Sequence, residues 1–162
     1  MNIKTFPNSL YRLQTYVAAL CMLSFLFISR IIGQLIQYFY PVDWLPALEF
    51  WQGSSLPYGF LLACQLIIFA VMLRVTFQHA SGCARRNPSK GGWLLTFGVL
   101  YFVSMSGRLV IGLGNFSTHP WFHKAIPTFF HLVLASFVLL IAGFHMNWVG
   151  KIDRNDLDEA MQ

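Results

Sequence analysis

Apolar residues fill this chain in four long runs instead of alternating along it. The first extends from about Thr15 to Tyr40 and the second from about Leu56 to Gln78. The third covers about Gly92 to Gly114 and the fourth about Ile126 to Trp148. Each reaches the roughly 20 residues that a helix needs to cross the hydrocarbon layer of a bilayer. A strand-type period of two is absent, so helices and not a barrel are expected to satisfy the backbone. Short connections make successive spans antiparallel. The pattern therefore predicts an all-α integral membrane protein: one four-helix, up-down-up-down transmembrane domain over residues 1–162, ending in a charged cytoplasmic tail at 149–162. The first run is too long for a signal-peptide core, and its end, QLIQYFYPV, lacks a small-x-small cleavage pattern, so it reads as a retained helix.

Composition agrees with lipid as the solvent. Hydrophobic residues make up 56% of the 162 positions and charged residues 10%, against about a quarter charged in a soluble domain. Basic residues set the orientation. Lys4 and Arg12 precede the first run, Arg85, Arg86 and Lys90 lie in the middle loop, and Lys151 and Arg154 follow the last run. The other two loops hold only Lys124, with Asp43 and Glu49. The positive-inside rule then puts both termini and the middle loop in the cytoplasm, and the expected location is a bacterial inner (plasma) membrane. The net charge of +5 follows from this topology. Its expected partners are membrane lipids with anionic headgroups and not nucleic acid.

The loops carry interfacial character. In the first outer loop, PVDWLPALEFWQGSSLPYGF, Asp43 is placed to cap a short helix from Trp44 to Trp51, with Trp44, Phe50 and Trp51 in the headgroup layer. Trp121 and Phe122 repeat this in the second outer loop, and Trp93 and Trp148 mark the inner interface. The middle loop, HASGCARRNPSKGG, reads as a polar turn region. A short echo links SRIIGQL in the first run to GRLVIGL in the third, as a duplicated helix pair would.

Candidate chemistry comes from polar residues inside the runs. Arg30 precedes Tyr40 by 10 residues and Arg108 precedes Gly114 by 6, which puts both arginines roughly 9–15 Å below the outer helix ends. Gln65 and His131 follow Pro57 and Pro127 closely on the two descending runs and fall in the same outer half, with Gln34, Gln37 and Tyr58 nearer the surface. An arginine near the middle of a span costs about 2.5–3.5 kcal/mol on insertion scales. No aspartate or glutamate lies inside any run, so internal ion pairs are excluded. Compensation must come from Asp43 and Glu49 folding inward, from Gln65, His131 and backbone carbonyls, or from a ligand presenting negative charge or carbonyl oxygens to the guanidinium fork. The alternative is that each arginine snorkels, as Arg74 is expected to do near the inner end. Arg30, Gln34, Gln65, Arg108 and His131 thus form the expected ligand site, its ligand a lipid headgroup, a quinone or a small anion.

The histidines suggest two further sites. His119 and His123 have the i, i+4 spacing of metal ligands, although Pro120 interrupts a helix there. His131 and His145 stand 14 residues apart on one face, half of the pattern of two-haem membrane cytochromes b, which they resemble. The matching histidines on a second span are missing, so only one b-type haem, between His79 and His145, is available. Cys21, Cys64 and Cys83 form no C-x-x-C pair, which removes the centre of a disulfide-exchange mechanism. Ser104, Ser106, Ser136, Gly107, Gly112, Gly114 and Gly143 read as helix-packing residues and not as catalytic groups. Two functions follow as expectations. One is a small ligand-binding or accessory membrane protein, which includes a subunit of a larger membrane complex. The other is a membrane oxidoreductase with a single haem b.

Overall fold

The computed structural model describes residues 8–51, 57–114 and 125–146. All regular structure among them is helical: α1 Asn8–Phe39, α2 Leu48–Trp51, α3 Tyr58–Ala80, α4 Pro88–Leu113 and α5 Ala125–His145. Four of these, all but α2, are long and apolar enough to cross a membrane. The described residues are therefore helical in all their regular structure and carry four candidate membrane spans, as a membrane protein would.

Local chemistry sets the ends. α3 stops where Gly82 takes a left-handed φ of 68°, a conformation open to glycine without a Cβ clash. The Gly82 amide donates back to the His79 carbonyl. α4 begins four residues before the apolar run, because Asn87 caps it: its side chain accepts from the Lys90 amide, with Pro88 in the first turn. α2 is shorter than the helix expected from Trp44. Pro46 forces the preceding residue out of the helical region, so Asp43 and Trp44 form a turn and helix starts only at Leu48.

α1 packs on both α3 and α5, α5 packs closely on α4, and α2 lies on α1 and α5. α1 and α5 are central and supply most of the core: Tyr16, Leu20, Phe27 and Ile31 from α1, Phe137 and Phe144 from α5, joined by Met72 of α3. The seam between α4 and α5 depends on two glycines. A Cβ on Gly91 would come within 2.9 Å of His145 Cβ, and one on Gly98 within 2.8 Å of Leu139. Small residues allow this closeness, and the dispersion it gains replaces the hydrophobic drive that lipid lacks. Gly107, expected at such a seam, instead faces open space. The outward faces of α3 and α4 are apolar, with Phe60, Ile67, Val71 and Phe77 on one and Trp93, Phe97, Leu100 and Val103 on the other. Such faces are stable against acyl chains and costly in water.

Candidate functional site

Three sets of contacts fix which residues lie level. Between α1 and α3, the Tyr16 and His79 rings are 5.6 Å apart and those of Tyr38 and Tyr58 4.5 Å. Gln65 therefore falls opposite Arg30 and Ile31. Between α1 and α5, Tyr16 stacks on Phe144 at 5.8 Å, and the Arg30 guanidinium lies over the Phe130 ring at 5.3 Å. Between α4 and α5, Gly91 meets His145, Gly98 meets Leu139 and Tyr101 meets His131. The first of these pairs puts Arg108 opposite the first turn of α5, near Thr128. Arg30, Gln65, Arg108 and His131 thus occupy one layer within roughly 5 Å along the helix axes, at 1.5 Å per residue.

All but His131 are closed off: Arg30 is 6% exposed, Gln34 0%, Gln65 4% and Arg108 5%. His131 is half-buried. Both guanidinium groups are thus inside the protein and not spread along a lipid-facing helix, whereas Arg74 is exposed. Arg30 is within electrostatic range of Tyr101 and His131, and Arg108 of His131. The Tyr101 hydroxyl and His131 Nδ1 share a hydrogen bond of 2.6 Å.

The acceptor for Arg30 comes from an unforeseen place. Arg30 Nη2 and Gln34 Nε2 both donate to the Trp51 carbonyl, at 3.4 and 3.2 Å. Trp51 closes α2, where helix carbonyls lack intrahelical partners. Its indole N–H donates to the Pro46 carbonyl at 2.8 Å. The ring packs on Gly33, where a Cβ would meet it at 2.9 Å. Trp51 is therefore a buried plug, 8% exposed, and not the headgroup-layer residue expected. The inward-folding carboxylates expected as compensation are elsewhere: Asp43 and Glu49 are both exposed. The sequence signal for the plug is Gly33, which gives the ring its space.

One side chain in the layer has no hydrogen-bond partner among the described residues. Gln65 is buried, and neither its amide nitrogen nor its oxygen has a hydrogen-bond partner; Gln34 Oε1 and Arg30 Nε also lack one. A buried polar group left unpaired costs about 1–3 kcal/mol. Gln65 joins the other residues by level alone, with no bond to them.

The histidine pair expected to hold a haem does not fit one in this packing. His79 Nδ1–H donates to the Val75 carbonyl at 2.8 Å, which leaves a lone pair on its buried, unpartnered Nε2. His145 has the opposite tautomer: its Nδ1 accepts from the Asn87 amide at 3.2 Å, so its Nε2 carries the proton and offers no lone pair to iron. Phe144 also lies edge-on against His79 at 4.6 Å. Among the described residues no group of three or more His, Cys, Asp or Glu is placed to hold a metal; His119 and His123 lie outside them.

Compared with known proteins, the chain matches no family model, no curated relative and no solved structure.

Proposed function

We propose that this chain is a small ligand-binding or accessory membrane protein whose polar layer, Arg30, Gln34, Gln65, Arg108 and His131, holds an anionic or carbonyl-bearing ligand such as a lipid headgroup or quinone. The proposed topology is up-down-up-down with both termini cytoplasmic, in a bacterial inner membrane. The descending order of the paired contacts supports it: numbers rise along α1 as they fall along α3 and α5, and rise along α4 as they fall along α5. The exposed apolar faces of α3 and α4 support residence in lipid and leave surface for a larger membrane complex.

The observation that carries the reading is Gln65, buried at the level of two arginines and without a hydrogen-bond partner among the described residues. Such a group is tolerated where a ligand completes it. Native mass spectrometry of purified protein tests it. Arg108→Leu should deplete a co-purified species and Arg74→Leu should leave it in place; equal retention in both variants overturns the assignment.

The oxidoreductase reading keeps one observation in its favour, the unpartnered Nε2 lone pair of His79. An absorption spectrum decides it. A Soret band that shifts on dithionite reduction requires His145 to change tautomer and Phe144 to move, and would displace the ligand-binding reading as the leading one.

A further inference from the structure

The unmet hydrogen-bonding needs of the layer narrow the class of ligand. Resting on the site proposed above, we propose that it binds a phosphate ester that carries at least one free hydroxyl, and not a quinone.

Charge is the first constraint. Arg30 and Arg108 both lie within electrostatic range of His131, and no carboxylate occurs within the four long helices. Among the described residues, the groups around Arg30, namely the Trp51 carbonyl, the Phe130 ring, the Tyr101 phenol and the His131 imidazole, supply no negative charge. A ligand that carries a full negative charge therefore gains more here than a neutral carbonyl compound.

Acceptors and donors are the second. Gln65 has a free N–H₂ and a free oxygen, and this holds whichever way its amide is turned. Gln34 is oriented by its bond from Nε2 to the Trp51 carbonyl, which leaves its oxygen without a donor. The layer thus asks its ligand for acceptors, to meet Arg30 Nε and the Gln65 amide nitrogen, and for hydroxyl donors, to meet the oxygens of Gln34 and Gln65. A quinone supplies two acceptors, no donor and no charge. A hydroxyl-bearing phosphate ester supplies all three.

A lipid headgroup and a soluble ester share this chemistry, and a single titration separates them. Full-length protein in non-ionic detergent is titrated with short-chain phosphatidylglycerol, phosphatidylcholine of the same chains, decylubiquinone and soluble glycerol 3-phosphate, with bound species counted by native mass spectrometry. Phosphatidylglycerol should bind one-to-one and at least about tenfold more tightly than phosphatidylcholine, as expected for losing a hydrogen bond to a buried polar group. Gln65→Leu and Arg30→Lys should each weaken it about tenfold or more, and Arg74→Leu should not. Gln65→Leu is expected to keep the fold, because the amide it removes bonds to none of the described residues. A parallel result with glycerol 3-phosphate in place of the lipid upholds the ester and assigns it to a soluble source. Equal binding of the two phospholipids, or no effect of Gln65→Leu on the bound ester, overturns the proposal. Gln65-dependent binding of decylubiquinone alone overturns the ligand class and leaves the site standing; no Gln65-dependent binding of any probe removes both.

Discussion

At the scale of single residues, helical rise sets the depth of each side chain and packing sets the direction it faces. The positions of Arg30, Gln65, Arg108 and His131 in their apolar runs place them in one layer, because helical rise converts residue count directly into depth. Whether the side chains face one another depends on how each helix turns about its axis, which four nearly uniform apolar runs do not encode. The Trp51 plug was hidden for another reason. Tryptophan in a loop beside a span ordinarily marks the interface, and only the glycine facing it reveals the burial. Two outcomes belong here. Gln65→Leu should leave the unliganded protein as stable as the parent or more so, by up to about 1–3 kcal/mol, in thermal unfolding in detergent; a clear loss would mean that the amide has a partner. Gly33→Ala should push the indole from its seat, since a rigid ring 2.9 Å from the new Cβ has no flexible end to yield. The emission of Trp51, isolated by difference against a Trp51→Phe background, should then shift to the red.

At the scale of elements, the four spans were found from hydropathy alone, and their boundaries moved wherever local capping chemistry extended or cut them. Asn87 and Pro88 started α4 early, and Pro46 shortened α2. Both signals were present in the sequence but sat inside segments whose polarity read as loop. The packing glycines differed as well: Gly91 and Gly98 form the α4–α5 seam, while Gly107 faces open space. The two seam glycines should respond differently to alanine. At Gly91 the new Cβ meets the Cβ and backbone carbon of His145, which cannot move aside, so a loss of about 1–3 kcal/mol is expected from overpacking. At Gly98 it meets the tip of Leu139, which can change rotamer, and the gain in helix propensity offsets most of the cost. Comparing the melting temperatures of the two variants checks the ranking; equal losses would mean that the helices are not seated as described.

At the scale of the whole molecule, the apolar runs gave the number of spans but not their neighbours. α1 and α5 are adjacent and central, while α3 and α4, joined by a short loop, do not pack on each other. Hydropathy does not specify this order, since any face of an apolar helix is acceptable to lipid. The proposed orientation has a direct check in Cys83, exposed in the basic middle loop. With Cys21 and Cys64 replaced by alanine, a membrane-impermeant maleimide should fail to label Cys83 in intact cells and label it after lysis; labelling in intact cells would invert the topology.

The central claim is that a buried layer, closed to bulk lipid, presents Gln65 and Arg30 to a phosphate ester. The most direct measurement is magic-angle-spinning NMR of the protein in phosphatidylglycerol bilayers, reading the dephasing of the Gln65 side-chain ¹⁵N by ³¹P. A snorkelling arginine would meet phosphorus at any membrane surface, but an amide that is 4% exposed meets it only if a phosphate enters the layer. We expect clear dephasing of the Gln65 amide, together with Arg30, that is lost in Arg30→Lys. A Gln65 signal untouched by phosphorus while exposed arginines dephase would contradict the claim.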